Sequence, residues 1–230
     1  MTSYSDGKHA SLLTDSIHSL WEKWSSTNGA FRGERPDMQN AFVNDLQTRL
    51  PDGWQARREA RISAPHGFSA WRMYDIGIFR DEQLVGLLEL SYDDTNVPHA
   101  LHNGELKLLG ACGAVGVASG REYHVERHLD EASISSLCNT LAQLAVRGLF
   151  FVNPGPRATL DRPDRAIWWE TKATGFSGET RFWSQLLAPG REATLRQAFS
   201  RLAGAGLHCW FYSLCGEGRL EILPTNFSRN

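Results

Sequence analysis

The sequence predicts an α/β protein with a mixed central β-sheet flanked by helices. Residues 11–25 place Leu12, Leu13, Ile17, Leu20, Trp21 and Trp24 at spacings of three and four, the period of an amphipathic helix. Residues 72–91 hold two apolar runs, Tyr74 to Phe79 and Leu84 to Leu90, around the polar break Arg80-Asp81-Glu82-Gln83, the pattern of a hairpin of two mostly buried strands. A helical pattern over 131–147 then leads directly into the apolar stretch 148–153, and a helix feeding a buried strand is how an α/β sheet is extended.

The remaining elements follow in order. The helix of residues 11–25 is stopped by Ser25-Ser26-Thr27-Asn28-Gly29. A second helix is expected from Pro36-Asp37 to Leu50 with Phe42, Val43, Leu46 and Leu50 inward, ended by Pro51-Asp52-Gly53. Trp54 to Ser63 reads as a first strand, and Ala64-Pro65-His66-Gly67 turns the chain into the hairpin. The polar loop 92–99 follows. From Asn103 to Ser119 the glycines Gly110, Gly113 and Gly116 sit three apart among apolar residues, better explained by a helix packed very close to a sheet than by a phosphate loop, since neither GK[ST] nor GxGxxG is present. Residues 157–189 interleave arginine with Trp168, Trp169 and Trp183, a composition that suits base stacking and phosphate contact but equally anchors an irregular segment to a core. A helix from Arg191 to Gly204 and a final hairpin, Leu207 to Leu214 with Arg219 to Leu223, complete the chain.

Composition narrows the class. At 230 residues, 41% apolar and 22% charged, the chain is long enough for one substantial domain with a smaller appendage. No run approaches the roughly 18–20 apolar residues of a membrane span, and Met1-Thr2-Ser3-Tyr4-Ser5-Asp6 lacks a signal peptide's apolar core. The cysteines Cys112, Cys138, Cys209 and Cys215 form no CxxC pair, which favours reduced thiols. A cytoplasmic protein with no membrane partner is expected. The net charge of −2 does not advertise a polyanion ligand. Among the cations, 20 are arginine and only Lys8, Lys23, Lys107 and Lys172 are lysine. Arginine suits bidentate phosphate recognition, though genome base composition produces the same bias. The scarcity of lysine leaves few candidates for a catalytic ammonium.

The chemistry concentrates in the 72–91 hairpin. With the turn centred on Glu82, facing positions sum to 164, so Asp75 lies opposite Glu89, Gly77 opposite Leu87 and Phe79 opposite Val85. Opposed Cβ atoms stand roughly 4.5–5.5 Å apart. Two carboxylates that close on apolar strands repel each other and are poorly hydrated. A shared divalent cation relieves both problems, and hard oxygen donors suit Mg²⁺ or Mn²⁺. Alternation along the strand points Ser91 the same way as Glu89.

This arrangement resembles the core of the PD-(D/E)XK nuclease superfamily, the restriction-endonuclease-like fold. The resemblance matches Asp75 to the family's first acid and Glu89 to its second, and it puts Ser91 at the usual lysine position. It implies a core over 36–152 with a helical extension at 1–35 and a C-terminal extension of the same domain at 153–230. It further implies a Mg²⁺- or Mn²⁺-dependent endonuclease acting on DNA, with the metal held by Asp75, Glu89 and the backbone carbonyl of Leu90. Some family members recruit a lysine from the following helix, and Lys107 is the residue placed to do so here. The helix before the hairpin often lends a further acid or amide, for which Asp37, Gln39 and Asp45 are the candidates. Nucleases that cut both strands are commonly dimers, so a homodimer is a possible assembly.

Other readings compete. Because a hydroxyl at Ser91 supplies no positive charge, the fold can survive as a catalytically degenerate nucleic-acid-binding or protein-interaction module. His124 and His128, four apart, can bind zinc on a helix, but no third ligand is assured. Two literal matches to the acid-x-Lys pattern, Asp164 with Glu170-Thr171-Lys172 and Glu105-Leu106-Lys107, fail: five residues cannot form two strands and a turn, and the second sits in a helical pattern.

Overall fold

Strands β1 (Trp54–Ile62), β2 (Arg72–Arg80), β3 (Gln83–Leu90), β4 (Gly148–Asn153), β5 (His208–Cys215) and β6 (Gly218–Ile222) form one mixed sheet in sequential order. In this computed structural model the described residues are 3–26, 38–62, 72–90, 101, 104, 107, 108, 111, 131–153, 190–215 and 218–222. The loop 92–99, the glycines Gly110, Gly113 and Gly116, the histidines His124 and His128, and the Arg/Trp segment 157–189 lie outside them. β1, β2 and β3 are antiparallel, β3, β4 and β5 are parallel, and β6 returns antiparallel to β5. The predicted α/β class with a mixed, helix-flanked sheet is what the chain forms.

The helices divide between the faces. α1 (Ser3–Ser26) and α2 (Gln39–Gln47) cover one, where Leu13, Ile17, Leu20, Trp21, Phe42 and Leu46 meet Ile76, Ile78, Leu88, Leu90 and Phe150. On the other, α3 (Glu131–Gln143), α4 (Arg191–Gly204) and the helical residues Leu101, Leu108 and Ala111 pack over Leu87, Leu149, Phe151 and Phe211. The two parallel connections, β3 to β4 and β4 to β5, advance in one direction across the sheet. Helices on a single face are what a uniform crossover hand requires. α1 begins eight residues earlier than the spacing of residues 11–25 predicts, and Leu12 is 40% exposed. Adjacent helical residues point about 100° apart, so Leu12 and Leu13 cannot both centre on the sheet, and Leu13 does. Among the described residues no helix is long and apolar enough to cross a membrane.

Two glycines set how closely α1 approaches. Gly86 and Gly148 are paired directly across β3 and β4, and a Cβ on either would stand 2.9 Å or 3.3 Å from Leu13 Cδ2. The notch they leave is filled by Leu13 and by the Phe150 ring, whose Cε2 would lie 2.6 Å from a Cβ at Gly148.

The hairpin holds the predicted register from Ile76 to Ile78 but not at its turn. Ile76↔Leu88 and Gly77↔Leu87 sum to 164, whereas Phe79 faces Leu84, not Val85, and Arg80 faces Gln83. The turn residues are Asp81 and Glu82, both at positive φ (48° and 66°). A two-residue turn of that kind matches the strand twist, and one extra residue in β3 then restores the register as a β-bulge. The bulge reverses the local alternation: Leu84 packs with the α3/α4 layer and Val85 with the α1/α2 layer, opposite to Leu87 and Leu88.

Helix ends supply a stability test. α4 closes with Gly206 at φ 87°, its N–H bonded to Ala203 O at 2.9 Å and Leu207 N bonded to Leu202 O at 3.1 Å. α3 closes with the same pair of bonds, Ala145 N to Ala142 O at 3.0 Å and Val146 N to Leu141 O at 2.9 Å, but places Ala145 at φ 58°. A left-handed residue with a Cβ costs about 1 kcal/mol where glycine does not. Ala145→Gly is therefore expected to raise the melting temperature by roughly 2–4 °C, measured by thermal denaturation, while Gly206→Ala lowers it.

Candidate active site

The site lies where both helical layers reach the open end of the hairpin. β1 and β2 change faces there. Trp54 and Ala56 pack against α1 and α2, yet Ala60 and Ile62, two and three alternations on, pack with the opposite layer. The switch falls at Glu59, which adopts φ 54°. β2 makes the matching switch between Tyr74, in the α3/α4 layer, and Ile76, in the α1/α2 layer. Asp75 is the residue between them.

The β2–β3 ladder runs to Ile76↔Leu88, and Asp75 and Glu89 are the next residues on the two strands. Both are buried, at 2% and 9% exposure. Asp75 is clamped from two sides. Its Oδ2 accepts a hydrogen bond from the Leu90 backbone N–H at 2.8 Å, and its Oδ1 accepts one from Gln39 Nε2 at 2.7 Å. Gln39 is itself buried, on the face of α2 that also carries Phe42 and Leu46. The helix is fixed to the sheet by Gln47, which donates to Trp54 O and accepts from Ala56 N, both at 2.9 Å. That clamp, with the packing of Phe42 and Leu46, holds Gln39 over the carboxylate.

Lys107 enters from the opposite layer. It lies on helical residues that bury Leu101, Leu108 and Ala111, and a Cβ at Gly104, one turn before it, would stand 2.9 Å from the Phe211 ring. So close an approach brings the ammonium to the strand ends. Lys107 Nζ donates to Leu90 O at 2.5 Å and to Glu89 Oε2 at 3.2 Å, and stands 3.9 Å from Asp75 Oδ2. The Lys107 side chain remains 25% exposed, so the cluster is open to solvent on that side.

Of the residues singled out in the sequence, Asp75, Glu89, the Leu90 carbonyl and Lys107 are brought together. Gln39 proves to be the α2 residue that joins them. Asp45 does not: it faces α1, paired with Lys23 at 2.9 Å and lying 3.9 Å from Arg49. Asp37 and Ser91 lie outside the described residues, as do Glu105, Asp164 and Glu170.

The donor set fits a hard divalent cation. Two carboxylates and a carbonyl converge on one point, that point already attracts an ammonium, and two formal negative charges against one positive leave the cluster at −1. No group of three or more His, Cys, Asp or Glu is placed for a metal among the described residues. A cation here would complete its coordination with water or substrate oxygens, which is the habit of Mg²⁺.

No protein-family model matches the chain, and no curated protein matches it. Among solved structures, the chain is similar to NucC of P. aeruginosa ATCC27853 in its cAAA-bound form. The alignment covers 92% of this chain and 82% of that one, at 11% identity and a TM-score of 0.34.

Proposed function

We propose that the protein is a divalent-metal-dependent nuclease that hydrolyses phosphodiester bonds in DNA, with a restriction-endonuclease-like core over residues 36–152. The observation that carries this reading is that Asp75 Oδ2, Glu89 Oε2 and the Leu90 carbonyl oxygen all lie within 3.9 Å of Lys107 Nζ. Asp75, Glu89 and Leu90 O would hold Mg²⁺ or Mn²⁺. When bound, such an ion polarises a phosphate and lowers the pKa of its water.

The chain's own groups do the rest. Gln39 and the Leu90 N–H fix the rotamer of Asp75, so that little reorganisation remains when the substrate arrives. Lys107, mobile on four methylenes and partly exposed, supplies the positive charge that Ser91 cannot, against the negative charge that builds on the phosphate oxygens. The buried apolar strands around the acids keep the local dielectric low and the electrostatic contribution large.

The test is incubation of the purified protein with supercoiled plasmid in Mg²⁺, in Mn²⁺ and in EDTA. Cleavage in either metal and none in EDTA is expected. Cleavage unaffected by EDTA would refute the metal-dependent reading. Gln39→Leu is expected to lower the metal-dependent rate about 10–100-fold, as loss of an orienting partner generally does, with the far-UV circular dichroism unchanged.

A second reading, a non-catalytic binding module on the same fold, has one observation in its favour. Lys107, Gln39 and the Leu90 N–H already compensate the buried acids, so the site is held without a metal. On that reading Mg²⁺ and Mn²⁺ show no affinity that depends on Asp75 and Glu89.

A further inference from the structure

We infer that Lys107 has two stations. It is a placeholder cation that holds the metal-free site closed, and it must leave the acids before a divalent ion can bind. This rests on the metal-site reading above and goes beyond it by naming what competes with the metal.

Lys107 Nζ donates to Leu90 O at 2.5 Å and to Glu89 Oε2 at 3.2 Å, and stands 3.9 Å from Asp75 Oδ2. Those are the three oxygens that a Mg²⁺ or Mn²⁺ would take. A small divalent ion binds its oxygens at about 2.0–2.1 Å. With the ammonium also within hydrogen-bond reach of them, the two positive groups would sit almost in contact. Neither the volume nor the charge allows both.

The side chain can leave. It is 25% exposed, whereas Asp75, held by Gln39 and the Leu90 N–H, is 2% exposed. Lysine's four-carbon stem moves where the buried acid cannot. Metal binding is then weakened by the fraction of molecules in which the ammonium fills the site, as any ligand is when its competent state is only partly populated. The displaced ammonium, pointing to solvent beside the metal, is placed to meet a phosphate oxygen.

The experiment measures Mn²⁺ binding to the full chain by the electron paramagnetic resonance of free Mn²⁺, for the wild type and for Lys107→Met. Methionine keeps length and apolar volume but cannot compete. Lys107→Met is expected to bind Mn²⁺ at least ten-fold more tightly. A Kd equal to or weaker than that of the wild type overturns the placeholder role while leaving the metal site standing. Binding by neither protein overturns the metal reading and this inference together.

A second measurement needs no variant. Acetylation of Lys107 by a water-soluble acylating reagent, read by mass spectrometry against Lys8, Lys23 and Lys172, is expected to increase several-fold when Mn²⁺ is added to the wild type. An unchanged or reduced Lys107 signal at saturating Mn²⁺ counts against displacement.

Discussion

Asp75→Asn is expected to lower metal-dependent DNA cleavage by about 10³-fold or more while the protein stays folded. An ion that polarises the reacting phosphate contributes several kcal/mol, and each 1.4 kcal/mol is ten-fold in rate. Asparagine is the informative replacement because the local hydrogen bonds can be kept. The amide oxygen can accept from the Leu90 N–H in place of Oδ2, and Gln39 can turn its own amide over so that its oxygen receives the new NH₂. Both of these hydrogen bonds survive while the charge is lost. Asp75→Ala, in contrast, leaves the Leu90 N–H and the Gln39 amide short of an acceptor in a buried place, at about 1–3 kcal/mol for each. Its loss of activity would be mixed with loss of stability. Glu89→Gln should match Asp75→Asn in cleavage. Undiminished cleavage in both, with melting temperatures near that of the wild type, would show that the hydrolytic site lies elsewhere.

Phe150→Ala is expected to cost about 3–5 kcal/mol in denaturant unfolding, a large share of the 5–15 kcal/mol that a domain commonly has. Phe150 is fully buried on the parallel strand β4 and packs in the α1/α2 layer. Its ring lies against Gly148, which is paired with Gly86 across β3 and β4. Backbone on both sides is held by ladder hydrogen bonds, so the hole cannot collapse freely. Gly148→Ala alone should destabilise by about 1–3 kcal/mol, because its methyl group meets the ring. In the double variant that methyl group enters the vacated space. The combined cost should fall below the sum of the two, a coupling that chevron or equilibrium unfolding will detect. Additive costs would mean that the ring and Gly148 are not in the contact described.

Much of this architecture is legible in the chain alone, where a side-chain period reports a face. The three-and-four spacing of Ile17, Leu20 and Trp21 marks a buried helix stripe, and α4 occupies the predicted span Arg191–Gly204. The two apolar runs of the hairpin, each with one acid, bring Asp75 and Glu89 to the residues just beyond the Ile76↔Leu88 pair, in a register that the turn alone sets one residue off and the bulge restores. Local errors left no trace in composition. Val85 and Leu84 are both apolar, so the extra residue that forms the bulge cannot be seen by pattern, and Phe79 faces Leu84 instead. Leu12 and Leu13 both fit the stripe, and only packing against the Gly86/Gly148 notch chooses Leu13.

By itself, then, the amino-acid order determined the helix and strand periods, one acid on each strand of the hairpin and the short list of side chains able to serve them. What the tertiary structure alone decided is which of those partners arrive. Gln39 is chosen over Asp45 by the rotation of α2, which the Gln47 clamp and the burial of Phe42 and Leu46 set against β1. Lys107, seventeen residues beyond Leu90, is brought close because Gly104 lets the helical residues that carry it settle against Phe211. Periodicity is local, carried by neighbours along the chain. The angle and distance at which two elements dock come from side chains far apart in sequence, so a site assembled from both layers of the sheet takes form only once those layers are packed.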